Sequence, residues 1–361
     1  MNPESKLKNQ SEIIEMLRFP LIILVVFVHM APLEPQAVSW RFDSYSLYST
    51  ISEIISHHIG QLAVPFFFVF SGYLFFLKDQ QWTFNNYIQQ LHKRLKTLLI
   101  PYLFWNIIVI LIIALMNTLF NALGRGNNEN YSALKENSVY DLMWSLPVNI
   151  PLWYVRDLMI MVLLSPLFYY FLSRTKILGL AILLLLYLAV PDLGIPGLSG
   201  VAIMYFGLGS YLGMFKYNVL PFCEQYGKLF LLLSFIFLGL DLYYINEFIG
   251  QYFFRCFVVS TLPGVFLMAV RFSEKKRLKN ILKSLSQTVF FIYAIHTVYF
   301  LGKLKSIFTA TQLSNSGWGM LAGYLIIPFI CVLIILGIYY SMNRLLPKTL
   351  SFITGSRVKQ L

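Results

Sequence analysis

Glu15-Met-Leu-Arg18-Phe-Pro-Leu-Ile-Ile-Leu-Val-Val-Phe-Val-His29-Met runs through the first hydrophobic segment of the 361-residue chain. Ten residues separate its arginine from its histidine. Eleven helical steps of ~100° return to within ~20° of the starting direction, so Arg18 and His29 share one face, about 16 Å apart along the axis. Ionisable groups are costly in a bilayer, so one near each end of a span marks a polar track across the membrane's depth. The bland alternatives are an arginine that snorkels to lipid headgroups and a histidine that packs in the core.

Composition sets the class. The chain is 58% hydrophobic and 12% charged, with mean hydropathy +0.67, far from a soluble globular domain. Apolar runs long enough to span lie near 13–31, 61–77, 98–120, 152–172, 177–190, 198–215, 229–245, 251–270, 285–301 and 318–345. The expected fold is an all-α polytopic integral membrane protein of about ten transmembrane helices. It forms a single domain over residues 1–361, without internal repeats. The fifth and sixth runs are short enough to be tilted helices or a re-entrant hairpin.

Twenty of the 28 Lys and Arg residues fall in alternate loops if the N-terminus is inside. That bias predicts both termini in the cytosol and a multi-pass protein of the plasma or bacterial inner membrane. It also accounts for the net charge of +12 without nucleic acid, for which no basic and aromatic face is present. Cys223, Cys256 and Cys331 are widely spaced in apolar surroundings and read as packing residues, with neither metal nor disulfide pattern. No tightly bound cofactor and no metal are expected. The first segment follows a weakly basic N-terminus and lacks a small-x-small cleavage site, which reads as an uncleaved signal anchor. The polar stretch 121–151 reads equally as a cap on an outward cavity or as a disordered connector. Gly207, Gly209 and Gly213 put small residues at helical spacing, a sign of close helix packing.

Further motifs follow in order: Val64-Pro-Phe-Phe-Phe-Val-Phe-Ser71-Gly72-Tyr73-Leu74; Lys93-Arg94-Leu-Lys96-Thr-Leu-Leu-Ile-Pro101-Tyr102; Pro151-Leu-Trp153-Tyr154-Val-Arg156-Asp157-Leu; and Ile292-Tyr293-Ala-Ile-His296-Thr. Together with the Arg18 and His29 segment they resemble the membrane acyltransferase-3 family over nearly the whole chain. The resemblance implies transfer of acyl groups, usually acetyl, onto sugars of surface polysaccharides, lipopolysaccharide and related glycoconjugates. Family members often carry Arg-x-x-Arg ahead of the third span, whereas Lys93 and Lys96 stand here, keeping charge but losing the bidentate fork that suits phosphate. The extra soluble domain of some relatives is not expected after the last span.

The chemistry expected from these residues is acyl transfer. Acyl-CoA is anionic and cytosolic, so Arg18, Lys93, Arg94 and Lys96 are the candidate donor-binding residues, with ordinary positive-inside charge as the alternative for the lysines. A sugar hydroxyl needs a base, and His29, or His296 about 18 Å into the ninth span, fits that task. Trp153, Arg156, Asp157, Arg255 and Glu53, with His57 and His58, are candidates to orient the base or bind acceptor hydroxyls. The expected partners are acyl-CoA as co-substrate, a glycan or lipid-linked sugar, the bilayer and, left open, a second copy of the chain. A secondary transporter and a catalytically silent assembly partner are the rival readings.

Overall fold

The structure, a computed structural model, describes residues 3–31, 41–77, 82–124, 129–192 and 194–355. Among these the chain is helical, with no strand. Helix α1 runs Pro3–Val28. Next, α2 (Ser44–Ser52) passes through a π-helical turn, Glu53–Ile59, and a 3-10 turn, Gly60–Leu62, into α3 (Ala63–Leu77). The stretch 41–60 is largely helical, and residues 32–40 lie outside the described part. Helix α4 (Phe84–Arg94) continues through a π turn, Leu95–Leu99, into α5 (Ile100–Ala122), followed by α6 (Glu129–Glu136). Then come α7 (Trp153–Leu163), α8 (Ser165–Thr175), α9 (Ile177–Ala189), α10 (Gly200–Met214), α11 (Leu220–Tyr243) and α12 (Gly250–Ser273). The chain closes with α13 (Lys276–Leu285), α14 (Val289–Ile295), α15 (Leu301–Thr309), α16 (Gly317–Leu345) and α17 (Pro347–Ile353).

Six helical segments are long and apolar enough to cross a membrane: Ser44–Leu77, Phe84–Ala122, Leu220–Tyr243, Gly250–Ser273, Lys276–Val298 and Gly317–Leu345. A seventh arises if α7 and α8, bent by 60° at Leu164, count as one span. Helices α9 and α10 are too short to cross unaided, as the fifth and sixth runs foretell. Helix α1 has the length, but Glu12, Glu15 and Arg18 interrupt its apolar run.

The core is aromatic and glycine-fitted. Helices α3 and α10 press together: a Cβ on Gly209 would come closer than 3.0 Å to the Val69 carbonyl oxygen, and one on Gly72 would meet the Phe206 carbonyl oxygen. Apolar side chains gain little from burial against each other when lipid is the alternative, so such backbone approach is what binds membrane helices. Gly209→Leu is therefore expected to cost at least the ~1–3 kcal/mol of ordinary overpacking, because the obstruction is rigid backbone. The check is thermal unfolding of the detergent-purified variant, where a midpoint within a degree or two of the parent would show the crossing to be loose.

The bundle has two distinct ends. At one, Glu12 meets Lys279 and Lys283 at 2.5 and 3.3 Å, and the Lys279 hydrogen bond holds the Glu12 carboxyl below the usual range. There the Gln10 side chain donates to the Tyr217 carbonyl and accepts from the Val219 N–H. At the other, Lys305 Nζ donates to the carbonyls of His29 and Met30, capping the C-terminal end of α1. The segment before α7 dips back into the bundle: Tyr102 Oη donates to the Met143 carbonyl, and the Asn149 N–H donates to Asn106 Oδ1 at 3.1 Å. The described part of 121–151 is thus tied to α5 by hydrogen bonds near its C-terminal end.

Candidate functional site

Helix α1 ends one residue before His29, which sits in a tighter turn with its N–H on the Val26 carbonyl at 3.2 Å. That turn releases the His29 ring from the helix face and puts it on a cavity of about 480 Å³. The size is that of ordinary small-molecule sites, ~300–1,000 Å³. One wall is apolar and comes from a single stripe of α5: Val109, Ile113, Met116 and Phe120. The opposite wall is mixed, with Asn149, Thr297, Lys303 and Ser306 beside His29.

His296 lies directly behind His29, with the ring centroids 5.1 Å apart. It starts a π-helical turn, His296–Phe300, and is fully buried. Its Nδ1 faces two backbone carbonyls, Ile292 at 3.1 Å and Tyr293 at 2.9 Å. Carbonyls only accept, so Nδ1 carries the proton and Nε2 is a lone pair. That Nε2 is buried with no hydrogen-bond partner among the described residues. His296 can thus accept from a neighbour but does not line the cavity; His29 does.

A line of polar rings leads away from this pair. Tyr293 stands 6.4 Å from His296 and 6.1 Å from Tyr154, and the Tyr154 hydroxyl is 3.1 Å from Ser71 Oγ. Tyr154 lies within electrostatic reach of both Arg18 and Arg94, which also sense each other. Neither guanidinium has a carboxylate at salt-bridge distance among the described residues, although Glu15 is in longer reach of Arg18. Arg94 also lies over the Phe75 ring at 5.7 Å. Lys93 and Lys96 are exposed.

The remaining candidates do not line the cavity. Arg156 Nε and Nη2 both donate to Asp157 Oδ1, and Nη1 donates to the carbonyls of Trp144 and Ser145. The pair is thus buried and ties the inward-dipping segment. Trp153 begins α7 and is half-buried. Arg255 spreads its Nη1 over the carbonyls of Tyr187, Leu188 and Val190, closing the C-terminal end of α9. Glu53 is buried, 2.7 Å from His57 Nδ1, while the His58 ring spans the Glu53 carbonyl and Asp241 Oδ2 at 3.2 and 2.8 Å. That knot joins the π turn before α3 to α11 and does not line the cavity. No cluster of three metal-ligating side chains occurs among the described residues.

Sequence reasoning missed Asn149, Asn106 and the capping role of Lys305. Asn149 stands two residues before the Pro151-Leu-Trp153 motif, and only that proximity could have pointed to it.

Residues 12–340 match the family described as Acyltransferase domain. The chain is similar to the succinoglycan biosynthesis protein ExoH of Rhizobium meliloti (strain 1021), with 27% identity over 366 residues, covering 97% of this chain and 93% of that protein. No solved structure matches significantly.

Proposed function

The chain belongs to the acyltransferase-3 family, and on that premise we propose that it is a membrane O-acyltransferase moving acetyl from cytosolic acetyl-CoA to a sugar hydroxyl. That it is an acyltransferase follows from membership, which sets aside the transporter and silent-partner readings. A relative in succinoglycan biosynthesis supports a glycan or lipid-linked sugar as the acceptor. About ten spans, counting α1, α9 and α10, with both termini in the cytosol of the plasma or inner membrane, complete the reading. The basic end carrying Lys279 and Lys283 then faces the cytosol and the cavity faces outward.

The observation that carries the reading is His29 on the cavity wall, backed by the bare Nε2 of His296. The His29 ring packs against that of His296, and His29 faces the acceptor. It takes the hydroxyl proton as the sugar oxygen attacks the thioester carbonyl carbon; the C–O bond forms, the C–S bond breaks, and the imidazolium returns the proton to the CoA sulfur. Arg18 and Arg94 grip the donor's phosphates. A donor held there spans about 16 Å to His29 on helix geometry, so its thioester arrives without an acyl-enzyme stop, and holding both substrates together supplies much of the rate.

The test uses purified protein, radiolabelled acetyl-CoA and the host's surface polysaccharide freed of its esters by mild alkali. Alkali-labile label on the polysaccharide with free CoA released is expected. Without acceptor, the protein should take up far less than one label per chain. Absence of transfer would overturn the reading, and stoichiometric label that acceptor discharges would replace direct transfer with a covalent relay.

A further inference from the structure

We propose that Asn149 is the acceptor-binding residue of the cavity, its Oδ1 receiving a hydrogen bond from a second, non-reacting hydroxyl of the sugar. The inference rests on the acyltransferase reading above and names what that reading leaves open: how the acceptor is recognised.

Asn149 is 2% exposed and shares the cavity wall with His29. Its backbone N–H, its carbonyl and its Nδ2 each make a bond within the protein. The backbone N–H donates to Asn106 Oδ1 at 3.1 Å, the carbonyl accepts from the Leu152 N–H at 2.9 Å, and Nδ2 donates to the Ala294 carbonyl at 2.9 Å. Asn106 is fully buried and fixed in turn, its Nδ2 donating to the Tyr102 carbonyl at 2.9 Å. This determines which way the Asn149 amide faces, because a flipped amide would set Oδ1 against the Ala294 carbonyl, acceptor against acceptor. Oδ1 is left as a buried oxygen without a partner among the described residues.

An orphaned amide oxygen held rigidly from three sides is a preorganised acceptor, and what completes it must donate. The reacting thioester offers only acceptors. A sugar offers hydroxyls, and the one that reacts is already claimed by His29. Asn149 therefore reads a neighbouring hydroxyl, which makes the acceptor a polyol with two hydroxyls within the reach of one ring, not a simple alcohol. Sites built to pair a hydroxyl discriminate strongly against its absence, because the protein's own polar atom is stranded. The contact also turns the sugar so that one hydroxyl meets the base.

The experiment is steady-state transfer of labelled acetyl from acetyl-CoA to the de-esterified polysaccharide by the full-length protein. Asn149→Ala is expected to raise the polysaccharide KM about tenfold or more, with the acetyl-CoA KM and the CoA dissociation constant within about twofold of the parent. An unchanged polysaccharide KM overturns the assignment. So does a rise confined to the acetyl-CoA KM, which would mean that Oδ1 pairs with a pantetheine amide. If the alanine variant does not fold, Asn149→Asp keeps the size and an acceptor oxygen: a polysaccharide KM within about threefold of the parent supports the proposal, and a tenfold rise overturns it. Failure of the parent protein itself to acylate the polysaccharide would instead remove the acyltransferase reading, so the two failures are distinguishable.

Discussion

Turnover of His29→Gln is expected to fall at least ~100-fold, with CoA binding and the folded yield unchanged. Glutamine keeps the size of the ring and one donor and acceptor, but it has no basic nitrogen near neutrality, and general-base catalysis is worth ~10²–10⁴-fold. The geometry makes this a sharp test. His29 lines the cavity, whereas the neighbouring His296 is fully buried and its bare Nε2 does not reach the cavity wall. His296→Gln should therefore cost less, since it changes the ring packed behind the base and leaves the base in place. Measured as acetyl transferred per second from saturating donor and acceptor, near-normal turnover in His29→Gln would refute a histidine base at this site and leave His29 as a residue that ends a helix.

The helical membrane class was legible because bilayer solvation writes it in long apolar runs that need no tertiary context. Arg18 and His29 were legible for the same reason: charge inside such a run is expensive enough to mark itself. The pairing of His29 with His296 could be anticipated only as a shared depth. That the rings meet depends on the turn that releases His29 at the end of α1 and on the π-helical turn beginning at His296, and neither departure from α-helix shows in hydropathy. In the basic cluster before α5, spacing gives Lys93, Arg94 and Lys96 similar weight, whereas the fold leaves both lysines exposed and puts a half-buried Arg94 within electrostatic reach of Arg18. The motif marked Arg156 but not its partners: the preceding segment dips into the bundle, and Arg156 holds its carbonyls. Asn149 was invisible because its role lies in which of its own atoms the fold leaves unpaired.

Arg18→Ala is expected to weaken CoA binding about 10- to 100-fold, the equivalent of losing one charge-assisted hydrogen-bonded contact of ~1.5–3 kcal/mol at a tenfold change per 1.4 kcal/mol. Arg18 and Arg94 are in electrostatic reach of one another with no carboxylate at salt-bridge distance among the described residues, so a bound phosphate relieves their repulsion while pairing with both. Arg18→Lys restores the charge but not the fork, and should fall between parent and alanine. Arg94→Ala should resemble Arg18→Ala. The double variant should lose less than the product of the two single effects, because removing either cation also removes the repulsion the other endures. Lys93→Ala and Lys96→Ala, at exposed positions, should change affinity by no more than about threefold, an effect that fades above ~0.5 M salt. Calorimetric titration of CoA into the purified variants separates these cases: unchanged affinity in Arg18→Ala, or a larger loss in Lys93→Ala, would move the donor's phosphates out of the bundle and onto its surface.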